Sequence, residues 1–153
     1  IQGIRPIVSF NYGAGETKRV HDTFKTTLAL TAGVMALGVA MSMIIPSQMI
    51  GLFTSSAETV GIGVKALRII SIGFVFSSVS VTCCGVLEAL GSGAASLAVS
   101  FMRYAVVIIP AAYLFSRTAL GADGVFIAFP VSETLTAAVS YLIYVKSMKK
   151  LKL

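Results

Sequence analysis

Charged side chains are scarce in this sequence: only 12% of its residues are Asp, Glu, Lys or Arg, and it has one histidine and two cysteines. Each shortage excludes something. Cys83 and Cys84 are adjacent, have no His or carboxylate at metal-ligand spacing, and as helix neighbours point apart. They are expected to be packing residues, with neither a disulfide framework nor a metal site. His21 stands beside Asp22 at an expected helix start and reads as a solvated interfacial residue, not a catalytic base. No nucleophile elbow, phosphate loop or paired-carboxylate site is present, so no enzyme and no cofactor are expected.

What replaces charge is apolar surface. With 56% hydrophobic residues and a mean hydropathy of +0.91, the natural solvent is a bilayer. A crossing needs roughly 20 residues, and four runs supply them: 24–45, 67–90, 97–115 and 124–145. They lie inside the chain and are too long for signal peptides. The expected fold class is an all-α integral membrane protein with four transmembrane helices. The chain starts at Ile1 without Met, and residues 1–23 read as a loop following a truncated helix, so a longer parent is expected.

The net charge of +6 follows the spans and does not form a nucleic-acid face. Arg5, Lys18, Arg19 and Lys25 precede the first run, Arg103 lies near the start of the third, and Lys146, Lys149, Lys150 and Lys152 follow the fourth; only Lys65, Arg68 and Arg117 fall on the other side. The positive-inside rule then places the opening loop, the 91–96 loop and the C-terminus in the cytoplasm of a multi-pass plasma-membrane protein, with a bacterial inner membrane expected. The Lys-rich tail is also a candidate for contact with anionic lipid.

Between the runs, Pro46 is expected to end the first helix, and Ser55 with Glu58 forms a capping-box pattern that restarts one. The amphipathic stretch Val60 to Arg68 is expected to lie in the outer interface before the second span. "GSG" at 91–93 and "GADG" at 121–124 make the remaining turns.

Two features inside the spans carry chemistry. Ser71, Ser78, Thr82, Gly85 and Ala89 share one helix face, suited either to close helix packing or to bordering a wet cavity. Glu133 stands close to the middle of the last span, where a carboxylate costs about 2.5 to 3.5 kcal/mol unless protonated, paired or wetted. Pro130 is expected to kink that helix and free a carbonyl beside the acid. Phe126, Pro130, Glu133, Ala137, Ser140 and Tyr144 then share a face suited to lipophilic cations. Glu133 is thus either part of a transport pathway or a buried acid paired with a neighbouring helix. Glu88 is expected at the cytoplasmic interface.

The stretch "RPIVSFNYGAGETKRV" resembles the loop after the second helix of each half in the multidrug and toxic compound extrusion (MATE) family, through Pro6, Asn11, Tyr12, Gly13, Ala14, Lys18, Arg19 and Val20. Position 5 is Arg where the family commonly has Gln. "GLFTSSAETV", "LEALGSG" and "FPVSE" are similar to further family segments, so the resemblance covers nearly the whole chain. It implies a twelve-helix transporter of two six-helix bundles, with residues 24–153 forming the C-terminal part of the second bundle. It also implies export of drugs or organic cations in exchange for H⁺ or Na⁺ by alternating access. Members that couple through this bundle often carry an acid in the tenth helix, where this chain offers Ser77, Ser78, Ser80 and Thr82. The tentative pathway residues are therefore Glu133, Pro130, Ser78, Thr82 and Tyr144, with the 6–14 motif serving as a cytoplasmic elbow. A superfamily lipid-linked oligosaccharide flippase and a non-transporting four-helix module are the alternatives.

Overall fold

The computed structural model describes residues 1–150, except for the side chain of Lys150; Lys152, assigned above to the basic tail, lies outside the described residues. The expected loop 1–23 is largely helical: α1 spans Ile4–Gly13, and α2 spans Thr17–Ile44. The motif's turn is compact because it is a helix C-terminus closed on itself. The Glu16 N–H donates to the Asn11 carbonyl at 2.9 Å and the Gly15 N–H to that of Tyr12 at 3.0 Å. This is a Schellman motif, and it needs a left-handed residue, supplied by Gly15 at φ +74°. Gly13 is an ordinary helical residue, and the Asn11 side chain bonds back to the Ile7 carbonyl at 2.8 Å.

Helix α2 ends at Ile44, and Pro46 opens the short α3 (Pro46–Gly51), where its missing N–H costs nothing. The next helix, α4 (Ala57–Ser71), is capped by Ser56, not by Ser55 as expected; the Ser56 hydroxyl accepts from the Thr59 N–H at 3.5 Å. The expected amphipathic segment is part of α4, which meets α5 (Phe74–Ala89) at a 54° bend. The second span is therefore a bent pair that starts ahead of residue 67. Its far end repeats the first turn, with Ser92 N–H to Leu87 O at 2.9 Å, Gly91 N–H to Glu88 O at 3.0 Å, and Gly91 at φ +76°.

The third span is continuous from Gly93 to Ser116. It comprises α6 (Gly93–Phe101), a π-helical stretch (Met102–Ile108) and α7 (Ile109–Ser116). Pro110 explains the widened turn: it offers no N–H to the carbonyl one turn back, and its ring pushes that turn open. The last span, α8 (Ala122–Lys150), runs on as a single helix through Pro130. Among the described residues, three helices are long and apolar enough to cross a membrane, or four with the bent pair counted as one span. The chain is a multi-pass membrane protein.

Burial is inverted relative to a water-soluble bundle. Leu30, Val34, Leu37 and Ile44 on α2 are at least 67% exposed, whereas Ser71, Ser78, Ser80, Thr82, Ser132, Thr136 and Ser140 are buried. Lipid tails solvate leucine as well as another helix would, so small hydroxyl-bearing residues go to the contacts. Helix α5 lies at the centre, packed against α2 and α8, with α1 also against it. On the small face of α5, Ser78, Thr82 and Gly85 are buried, and the Ser78 hydroxyl donates to the Val75 carbonyl of the same helix at 2.6 Å. An apolar cluster of Val8, Val20, Phe24, Cys83, Val86, Tyr144 and Met148 closes the end of the bundle near the first turn.

Candidate functional site

The last span brings one carboxylate to mid-bundle. Glu133 is the twelfth residue of the 29-residue α8, within about 5 Å of its midpoint at about 1.5 Å per residue. It is met there by Arg103. The guanidinium Nη1 lies 3.5 Å from the Glu133 Oε1, and both side chains are nearly buried, at 12% and 15% exposure. Counted above with the cytoplasmic cations, Arg103 instead points into the bundle. Ten residues past the Gly93 start of its span, its charge is nearly buried, and an acid on the next span answers it.

Two serines hold the arginine from opposite sides. Its Nη2 donates to the Ser80 hydroxyl of α5 at 2.5 Å, and the Ser132 hydroxyl donates to its backbone carbonyl at 3.3 Å. Arg103 also sits on the second residue of the π-helical stretch. A widened turn alters which way successive side chains point, and such turns recur at functional sites. The floor of the site is the α4–α5 bend. A Cβ on Gly73 would stand 3.1 Å from the Pro130 Cα and 3.3 Å from the Glu133 Cγ, so glycine lets the bend seat closely against α8.

The site is not internally satisfied. The Arg103 Nε and Glu133 Oε2 are buried without a hydrogen-bond partner, as are the Thr82 and Thr136 hydroxyls. A 3.5 Å contact is also longer than a closed charge-assisted bond of about 2.7–2.9 Å. Buried polar atoms of this kind are normally paired. The Arg103–Glu133 pair is thus an incompletely satisfied charged contact between the third and fourth spans.

Of the residues singled out from sequence, Glu133 and Pro130 meet at this centre. Thr82 is buried two residues beyond Ser80, its hydroxyl unpartnered. Ser78 is buried and its hydroxyl donates to the Val75 carbonyl of its own helix. Tyr144 is elsewhere: eleven residues on, about 16 Å along α8, it stacks on Phe24 at 4.1 Å and meets the His21 Nδ1 at 3.1 Å through its hydroxyl. Asn11, Tyr12, Gly13 and Ala14 lie at the α1–α2 turn and Pro6 in the first turn of α1, where Arg5 pairs with Glu88; between them the Ser9 hydroxyl donates to the Ala89 carbonyl at 2.8 Å. Arg103, Ser80 and Gly73 escaped sequence reasoning. The available signal was an arginine inside an apolar run opposite a lone intramembrane acid.

The MatE family profile matches residues 2–114. The multidrug export protein MepA of Staphylococcus saprophyticus is 22% identical over 93% of this chain and 31% of its own length. Among solved structures, an inward-facing multidrug resistance MATE family transporter of the MOP superfamily superposes with a TM-score of 0.93 at 22% identity, over 99% of this chain and 35% of that one. An outward-facing transporter of the same description gives 0.91 at 24%, over 97% and 34%. The chain thus spans about a third of the length of these relatives. With the bundle, the bent second span and the profile match in agreement, the chain belongs to the multidrug and toxic compound extrusion (MATE) family of membrane transporters.

Proposed function

We propose that this chain forms the C-terminal part of a multidrug efflux antiporter that exports drugs or organic cations in exchange for H⁺ or Na⁺. The observation that carries the proposal is the intramembrane Glu133, held at 3.5 Å from Arg103 with its second oxygen unpartnered. An exchanger needs a site whose charge can be answered alternately by an internal cation and an external one. A carboxylate loosely tethered to an arginine, in a bundle that pays for any unanswered charge, has that property. In this reading Arg103 compensates Glu133 when no ion is bound, and Ser80 and Ser132 hold the arginine in reach.

Alternating access is supported by shape. The same fold matches one relative described as inward-facing and another as outward-facing almost equally well, at 0.93 and 0.91. A segment that keeps its form in both moves as a rigid part of its bundle. The charge pattern supports a cytoplasmic placement of the α1–α2 turn and of the end of α8, in a bacterial inner membrane.

The test expresses the full-length protein in cells lacking their own drug efflux pumps and follows a fluorescent lipophilic cation. Efflux that accelerates when an H⁺ or Na⁺ gradient is imposed supports the antiporter. Efflux indifferent to both gradients, at normal membrane expression, contradicts it.

A further inference from the structure

A second polar feature lies well away from the charge pair. A cavity of about 360 Å³ opens between the start of α2 and the end of α8, with Lys18 and His21 on one side and Tyr141, Val145, Met148 and Lys149 on the other. It is graded along the membrane normal. If the helix midpoints mark the midplane, Lys18 and Lys149 stand roughly 19 Å out, beyond the roughly 15 Å half-thickness of the hydrocarbon, while Tyr141 stands only about 8 Å out. The cations are thus at headgroup depth and the aromatic and aliphatic wall at acyl depth.

We infer that this cavity binds one anionic phospholipid, its phosphate between Lys18 and Lys149 and an acyl chain along Tyr141, Val145 and Met148. Charge selects the headgroup: the lining has two lysines and no carboxylate, so nothing there receives the ammonium of a zwitterionic lipid. The apolar wall selects a lipid over free phosphate, since its burial rewards only a ligand with a hydrocarbon tail. The inference does not depend on export and stands or falls separately from it.

The experiment uses the full-length protein in nanodiscs of phosphatidylcholine, titrated with phosphatidylglycerol, with bound lipid counted by native mass spectrometry. The expected result is preferential retention of phosphatidylglycerol, weakened about fivefold by Lys18→Gln or Lys149→Gln alone and more by both. Lys18→Arg with Lys149→Arg should retain it, and Arg68→Gln at the opposite end should leave it unchanged. Equal retention of both lipids overturns the inference. So does an unchanged response in the double Gln variant, or displacement of the lipid by millimolar inorganic phosphate. Absence of any bound lipid overturns it too, and is the outcome if the remainder of the protein covers the cavity.

Discussion

The guanidinium of Arg103 and the carboxylate of Glu133 face each other at 3.5 Å across two membrane-spanning helices, each nearly buried. Neither residue is tolerable there alone. Arg103→Met is therefore expected to lower stability by about 3 to 5 kcal/mol, because it strands a buried carboxylate. The double variant Arg103→Met/Glu133→Gln, which strands nothing, is expected to recover most of that loss. Thermal unfolding in detergent checks both; equal losses in the single and double variants contradict the pairing.

Gly73 is expected to resist a side chain. A methyl group there meets the Pro130 Cα at 3.1 Å, so the α8 backbone must give by a few tenths of an ångström. Gly73→Ala is expected to cost about 1–3 kcal/mol through overpacking. Gly61→Ala, with nothing within 4 Å of the new methyl, should be neutral or gain up to about 1 kcal/mol of helix propensity. The difference between the two melting temperatures is the measurement.

The glycines of the "NYGAG" turn differ in the same way. Gly15 has φ +74° and Gly13 is helical, and neither lacks space for a methyl. Gly15→Ala should cost about 1–2 kcal/mol from the left-handed backbone alone, while Gly13→Ala should be neutral or stabilising. Equal effects in a denaturation series would remove the Schellman account of the motif.

Arg5 departs from the family's usual glutamine and pairs with Glu88, which also accepts from the Ser96 hydroxyl at 2.7 Å. Both partners of the ion pair are partly exposed, at 46% and 32%. Arg5→Gln should therefore cost no more than about 1 kcal/mol. Arg5→Glu, placing like charges together, should cost more, and added salt should reduce the difference. Melting curves at low and high salt read this out.

Hydropathy made the four membrane crossings legible, because apolar run length alone decides them. The span ends were less so. The Thr17 start of α2 and the Ala57 start of α4 lie in polar or amphipathic sequence at the bilayer surface, where helices outrun the hydrocarbon. The loop expected over residues 1–23 went astray on glycine content: only Gly15 breaks the helix, while Gly3 caps α1 and Gly13 lies within it. Glu133 stood out because an acid in an apolar run is conspicuous. Its partner did not, since Arg103 sits nearer a run's end and fitted the positive-inside pattern. Which helices face each other is decided by packing, and no local pattern carried that. Helical spacing put Tyr144 on the face of Glu133, and the structure places it about 16 Å further along α8, stacked on Phe24.

The central claim is that Glu133 takes part in exchange and is not merely a paired acid. The most direct measurement is gradient-driven efflux of a lipophilic cation by the full-length protein in proteoliposomes, wild type against Glu133→Gln, with retained helicity and a monodisperse elution profile confirming that both are folded at the assay temperature, since stranding Arg103 lowers the variant's melting temperature. Loss of most gradient-driven efflux in Glu133→Gln, with cation binding retained, is the predicted result. Undiminished efflux in a folded Glu133→Gln protein would contradict the account and leave the Arg103–Glu133 pair a structural contact.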